Sequence, residues 1–263
     1  MINHGLTPQE IFFYRFLIAY IGIWVISPKR LFTGNWKDEL WLVAGGIFGG
    51  SLYFFTENTA LGITQASNVS FIICTAPLLT TILSLLFYKS EKASKGLIYG
   101  SLLALMGVGL IVFNGSFVLK ISPIGDLLTL LAALSWAFYS LIIKKMAGRY
   151  PTVFITRKIF FYGVLTILPA FLLHPLQPDA AVLLQPGVLF NLLFLAVLAS
   201  LICYVLWNVV LKQLGTVRAS NYIYLNPLVT MIASSLILDE KITLVALGGA
   251  ACIVCGVYWA EKK

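Results

Sequence analysis

The chain has 263 residues, of which 60% are hydrophobic and 11% charged, against roughly 45–50% and about 25% in an ordinary soluble domain. So few charges cannot cover a water-facing surface of this size, so a soluble globule is excluded and lipid is the expected solvent. The net charge of +8 does not point to nucleic acid, because the basic residues sit in short gaps between apolar runs instead of gathering on one face.

A helix needs about 20 predominantly apolar residues to cross a hydrocarbon core of about 30 Å. In chain order, nine stretches meet that need: Ile11–Ser27, Leu40–Ala60, Asn68–Tyr88, Gly96–Phe113, Asp126–Ile143, Phe154–Leu173, Val188–Leu211, Ala219–Leu238 and Thr243–Ala260. The gaps between them carry turn chemistry such as Ser27-Pro28, Asn114-Gly115 and Gln185-Pro186-Gly187. None is long enough for a soluble domain. The first run has no basic flank before it and no small-residue cleavage site, so it does not read as a secretory signal.

The first two stretches each carry a charge, Arg15 and Glu57. A charge inside hydrocarbon is costly and defaults to a functional reading. Each lies about one turn from the same end of its span, so the two share a depth. A salt bridge between them would satisfy both and shape an outer vestibule, and Glu57 would serve as the carrier in proton coupling; the alternative is that each snorkels to the interface by itself. Gly45, Gly46, Gly49 and Gly50 in the second stretch read as close helix approach, not as ligand binding, and Gly100/Gly107 and Gly249/Gly256 read the same way.

Pro77 falls at the centre of the third stretch and Asn226-Pro227 at the centre of the eighth. Each proline removes an N–H bond and loosens the preceding turn, and interrupted helices near the bilayer midplane are where transporters tend to bind solute. The alternative is a plain kink packed by its neighbours. The fifth stretch places Ser135-Trp136 at its midpoint with Tyr139 one turn on, and Tyr204, Trp207 and Asn208 lie just past the centre of the seventh. Aromatics with a few hydrogen-bonding atoms suit a small-molecule pocket, although any one of them also serves in packing. Trp136, Tyr139, Ser135, Pro77, Asn226, Pro227 and Tyr204 are therefore the candidate substrate-binding residues. Asp126 reads as a helix N-cap. The four cysteines, including Cys252 and Cys255, read as small apolar residues, and no metal set or cofactor is expected.

Alternate gaps differ in charge. One set, with the C-terminus and two residues at the start of the sixth stretch, holds fifteen Lys and Arg residues, whereas the other holds only Lys120 and Lys241. That bias puts the C-terminus in the cytoplasm and, with nine crossings, the start of the chain outside.

The chain also repeats itself. Leu61-Gly62 with Ala66-Ser67-Asn68 matches Leu214-Gly215 with Ala219-Ser220-Asn221; Pro77-Leu78 matches Pro227-Leu228, Glu91-Lys92 matches Glu240-Lys241, and Gly100 and Gly107 match Gly249 and Gly256. The second copy holds five stretches and the first four, so the counterpart of Asp126–Ile143 is expected before Met1. Five-helix units cross an odd number of times, so successive units run in opposite directions. The expected fold is therefore an all-α polytopic membrane protein, an inverted repeat of two five-helix units at residues 1–118 and 119–263, with the first helix of the first unit missing.

Leu61-Gly62, Ala66-Ser67, Pro77 and Glu91, the run Gly125-Asp126-Leu127-Leu128 with Ala133-Leu134-Ser135-Trp136-Ala137 and Tyr139, and the second-half Ala219-Ser220, Asn226-Pro227, Glu240, Gly249 and Gly256 together resemble EamA-type permeases of the drug/metabolite transporter superfamily. The resemblance covers essentially the whole chain. It implies a ten-helix inverted-repeat permease of the bacterial plasma membrane that exports small metabolites, often amino acids.

The function expected is secondary transport of a small polar or amphipathic metabolite by alternating access, with a small-molecule substrate and the bilayer as partners; a homodimer is one assembly state the reading leaves open. No phosphate-cradling loop is present. An intramembrane enzyme would need a nucleophile–base pair, and the only histidines, His4 and His174, lack acidic neighbours. A channel would need filter loops or charged rings. A non-transporting assembly subunit is the remaining rival.

Overall fold

The computed structural model describes residues 6–28, 32–88, 94–113, 122–173, 175–176, 180–238 and 242–262. Asn114-Gly115, Lys120, His4, His174, Glu91-Lys92 and Glu240-Lys241 lie outside them. Every regular element among the described residues is helical. In chain order these are α1 (Pro8–Ile26), α2 (Trp36–Gly46), a π-helical segment (Ile47–Ser51), α3 (Leu52–Ile63), α4 (Ala66–Ile73), α5 (Ala76–Phe87), α6 (Lys95–Phe113) and α7 (Pro123–Ala147). There follow α8 (Thr152–Ile167), α9 (Ala170–Leu173), α10 (Ala180–Leu183), α11 (Pro186–Leu193), a second π segment (Phe194–Ile202), α12 (Cys203–Leu214), α13 (Thr216–Asn221), a 3₁₀ segment (Tyr222–Leu225), α14 (Asn226–Leu238) and α15 (Leu244–Glu261).

Local chemistry explains the starts. Thr7 and Glu10 form a capping box ahead of Pro8, the Thr7 hydroxyl accepting from the Glu10 N–H and the Glu10 carboxylate from the Thr7 N–H. Asn35 caps α2 by accepting from the Lys37 N–H, and Thr243 caps α15 by accepting from the Ala246 N–H. Asp126 corrects the expectation of an N-cap: α7 begins at Pro123, so Asp126 stands in the first turn. From there its carboxylate reaches back to accept from the Ser122 N–H at 3.1 Å and from the Thr64 hydroxyl at 3.4 Å.

Among the described residues, seven helical stretches are long and apolar enough to cross a membrane: Pro8–Ile26, Ala66–Phe87, Lys95–Phe113, Pro123–Ala147, Thr152–Leu172, Pro186–Leu214 and Leu244–Glu261. The other two expected crossings, Leu40–Ala60 and Ala219–Leu238, are helical and contain the first π segment and the 3₁₀ segment, as Ala66–Phe87 contains the turn at Cys74 and Thr75 and Pro186–Leu214 the second π segment. Both prolines stand at breaks. Pro77 sits in the first turn of α5 after a turn at Cys74 and Thr75, and the Thr75 hydroxyl and N–H both donate to the Ile72 carbonyl, at 2.6 and 2.9 Å. Pro227 opens α14 directly after the 3₁₀ segment.

The chain folds into two compact units that do not follow the sequence repeat: unit 1 is Met1–Asn58 with Phe138–Gln213, and unit 2 is Thr59–Ala137 with Leu214–Lys263. Each takes helices from both halves of the chain.

In unit 1, Gly46 lets α2 lie against α8; a Cβ there would stand 2.5 Å from the Tyr162 Cβ and 2.9 Å from the Gly163 nitrogen. An aromatic core of Phe12, Phe16, Phe54, Phe160 and Tyr204 fills the space beside α1, with ring centroids 4.3–5.7 Å apart. In unit 2, α6 and α15 cross through their glycines: Gly100 meets Gly256 and Ala260, and Gly107 meets Gly249 and Ile253. The residue order descends along α15 as it rises along α6, so the two helices are antiparallel. Cys74, Ala104, Val108, Tyr224, Ile253 and Val257 pack into one core beside that crossing.

Candidate functional site

Unit 1 holds two half-buried ions, Arg15 and Glu57. Arg15, on α1, donates from Nε to the Ser200 hydroxyl at 2.9 Å, and its guanidinium lies over the Phe54 ring at 4.4 Å. Glu57, on α3, accepts from the Tyr53 hydroxyl at 3.0 Å, one turn earlier on the same helix. The direct salt bridge expected between Arg15 and Glu57 is therefore not formed in this structure. Each ion instead has a hydroxyl partner, and a cation–π contact adds to the satisfaction of Arg15. Two ions held by neutral groups retain capacity for a ligand that a closed ion pair would lack.

Both π segments feed this region. Ser200 lies in the second, and in the first the Gly49 carbonyl accepts from the Tyr204 hydroxyl at 2.6 Å. A π turn widens the helix and releases carbonyls from their usual partners, which is why such turns recur at functional sites. Beside it, Tyr139 donates to Asn208 Oδ1 at 2.7 Å, and Asn208 Nδ2 donates to the Thr156 hydroxyl at 2.9 Å. All three residues are fully or almost fully buried, so this network ties α7, α12 and α8 together in apolar surroundings.

A second polar cluster stands at the start of α2. Asp38 takes the Arg149 guanidinium at 2.5 Å and the Tyr150 hydroxyl at 2.9 Å. Glu39 accepts from Lys158, from Tyr162 and from the Thr33 hydroxyl, the last at 2.7 Å. Burial pushes the Glu39 carboxyl up, but these hydrogen bonds outweigh it and hold the group below its ordinary value of 4.5. Lys158 is fully buried, so it depends on Glu39 for its charge partner.

The remaining candidates lie in unit 2. Ser135 is buried and Trp136 half-buried on α7, Pro77 is buried on α5, and at the start of α14 Pro227 is buried while Asn226 is exposed. Sequence reading thus picked out Arg15, Glu57, Tyr139 and Tyr204, which the structure brings together in unit 1 with Asn208. It missed Tyr53, Ser200, Asp38 and Glu39. Tyr53 stands four residues before Glu57, a spacing that puts both on one helix face. Ser200 lies 185 residues from Arg15 and had no such signal.

Comparison with known proteins gives this architecture its relatives. A model of the EamA-like transporter family matches residues 1–113 and 123–260. An uncharacterized transporter of Archaeoglobus fulgidus is 29% identical over 98% of this chain and 89% of its own length. Probable amino-acid metabolite efflux pumps of Salmonella typhimurium and Escherichia coli are 27% and 24% identical over 97% of this chain and 86% of theirs. A solved crystal structure superposes with a TM-score of 0.77 at 18% identity, over 97% of this chain and 88% of that one, a likeness of fold. The matches cover almost the entire chain, and its apolar helices are those of an integral membrane transporter: the chain belongs to the EamA-like transporter family.

Proposed function

We propose that this transporter moves a small polar or amphipathic metabolite, such as an amino acid, outward across a bacterial plasma membrane by alternating access between two inverted five-helix repeats. The observation that carries the reading is the pair of half-buried ions in unit 1. Arg15 on Ser200 and Glu57 on Tyr53 offer a cation and an anion that form no direct ion pair, so a solute bearing charge of either sign finds a counterpart. The efflux pumps among the relatives act, by their names, on amino-acid metabolites, which supports the same class here. Trp136, Tyr139, Ser135, Pro77, Asn226, Pro227 and Tyr204 are the residues we assign to substrate. The antiparallel crossing of α6 on α15 supports the inverted repeat: Gly100 and Gly107 correspond in sequence to Gly249 and Gly256, and each glycine of one pair meets the opposite member of the other. The lysine and arginine bias supports a cytoplasmic C-terminus.

Counterflow in proteoliposomes, with a panel of amino acids and related metabolites, tests the reading. A transported solute should be found, and Arg15→Gln and Glu57→Gln should each slow its exchange at least about tenfold, the worth of one hydrogen bond to a charged group. If Glu57→Gln leaves both the rate and its pH dependence unchanged, the assignment of Glu57 to transport is wrong.

A further inference from the structure

Unit 2 contains a cleft of about 280 Å³ at the end where α5 stops, α6 begins and α15 finishes, and its polar lining is Thr81, Ser94, Thr216, Arg218, Glu261 and Lys262 over leucines of α5, α6 and α12. Two features keep it open. Gly215 turns the chain from α12 into α13 with a φ of +81°, a conformation glycine adopts without steric cost. Gly96 pins the start of α6 against the last turn of α15, where a Cβ would stand 2.8 Å from the Trp259 carbonyl oxygen.

The charges in the cleft are only partly used. Arg218 Nε and Glu261 Oε2 are 3.9 Å apart, at the outer limit of an ion pair, and their side chains are 44% and 26% exposed. The other carboxylate oxygen, Glu261 Oε1, is closed to solvent and has no hydrogen-bond donor. A buried acceptor without a donor is costly, and native structures normally supply the missing partner. Beside it, Arg218 and Lys262 present two cations. The lining thus matches a ligand with a negative group and a hydrogen-donating ammonium a few bonds apart.

The depth of the cleft limits what that ligand is. Tyr258 and Trp259, three and two residues before Glu261, are 64% and 52% exposed, the placement of aromatic residues at the headgroup level of a bilayer. The volume falls below the roughly 300–1,000 Å³ of pockets that enclose a whole drug-sized molecule. We propose that this cleft binds the headgroup of a phospholipid bearing a phosphate and a primary amine, the phosphate on Arg218 and Lys262 and the ammonium on the Glu261 carboxylate, whose side chain is 26% exposed. A basic pocket between membrane helices recognises lipid phosphate in this way. The carboxylate adds selection: a quaternary ammonium has no N–H to give it, and a glycerol headgroup has no cation.

The test uses the purified full-length protein in detergent, with lipid retention followed by native mass spectrometry and by thermal midpoint as phosphatidylethanolamine, phosphatidylcholine or phosphatidylglycerol is added. The wild-type protein should hold phosphatidylethanolamine about tenfold more tightly than phosphatidylcholine, one charge-assisted hydrogen bond separating them. Glu261→Leu, which has no acceptor, should erase that preference while leaving phosphatidylglycerol bound, which also shows that the variant is folded. Arg218→Gln should weaken all three. Equal retention of phosphatidylethanolamine and phosphatidylcholine by the wild-type protein overturns the proposal without any variant, as does a preference that survives Glu261→Leu. Displacement of the lipid by soluble phosphoethanolamine at matched concentration would assign the cleft to a free solute and also overturn it.

Discussion

Replacing Gly107 by alanine tests whether the α6–α15 crossing is as close as its geometry indicates. A Cβ at Gly107 would stand 2.5 Å from the Gly249 carbonyl oxygen and 2.8 Å from the Ile253 nitrogen. Both are backbone atoms, which cannot rotate aside as a side chain would. To reach an ordinary contact of 3.4 Å, α15 must retreat by about 1 Å, and the core of Cys74, Val108, Tyr224 and Ile253 must follow it. Overpacking of this kind costs about 1–3 kcal/mol, partly offset by the roughly 0.5–1 kcal/mol that alanine gains over glycine inside a helix. The net expectation is a loss of about 1–2 kcal/mol, or a fall of about 2–8 °C in Tm for a chain of this size. Gly248→Ala is the control: it lies on the same α15, exposed, with nothing within 4 Å of its Cβ position, and should be neutral or slightly stabilising. Both variants are purified in one detergent and melted side by side. If Gly107→Ala melts no lower than Gly248→Ala, the close crossing does not exist in the membrane protein, and the support it lends to opposed repeats disappears.

The other outcomes concern unit 1. Because the folded Glu39 carboxyl is held below its ordinary 4.5, its stabilisation is fully present above that pH and is lost as acid carries the pH down through the folded value. Thermal midpoints of the wild-type protein should therefore fall on acidification below about pH 4.5, with a shallower fall in Glu39→Gln; parallel curves would show that the cluster with Lys158 and Tyr162 does not control acid stability. Asn208→Leu removes one partner each from Tyr139 and Thr156 and should cost about 1–3 kcal/mol, read as a lower Tm, whereas an unchanged Tm would mean that water replaces the amide without loss. Ser200→Ala leaves Arg15 without its 2.9 Å acceptor and should lower the counterflow rate less than Arg15→Gln does, since the charge and its contact with Phe54 survive; a larger effect for Ser200→Ala would move the essential contact from the cation to the hydroxyl.

Much of this molecule follows from local chemistry, and that part is written in the chain. Apolar run length predicts the solvent and the helices, since hydrophobicity over about 20 residues needs no knowledge of the fold. Pro77 and Pro227 predict two helix breaks because a proline withdraws its own N–H wherever it stands, and the structure has a break at each. The matching glycines at 100, 107, 249 and 256 mark positions of close approach before any partner is known.

Partner identity is different. A charge within an apolar span must be satisfied, and that need is visible at Arg15 and Glu57 from sequence, yet the group that satisfies it is whichever one packing delivers within about 3 Å. For Arg15 that group is a serine 185 residues away, made available by a π turn, and for Asp38 it is Arg149, 111 residues on. The same holds for the two compact units, which take helices from both halves of the chain. Sequence specifies which groups must be buried, broken or charged; only the folded chain decides which of them meet, because those meetings depend on distances across the bundle that no local pattern encodes.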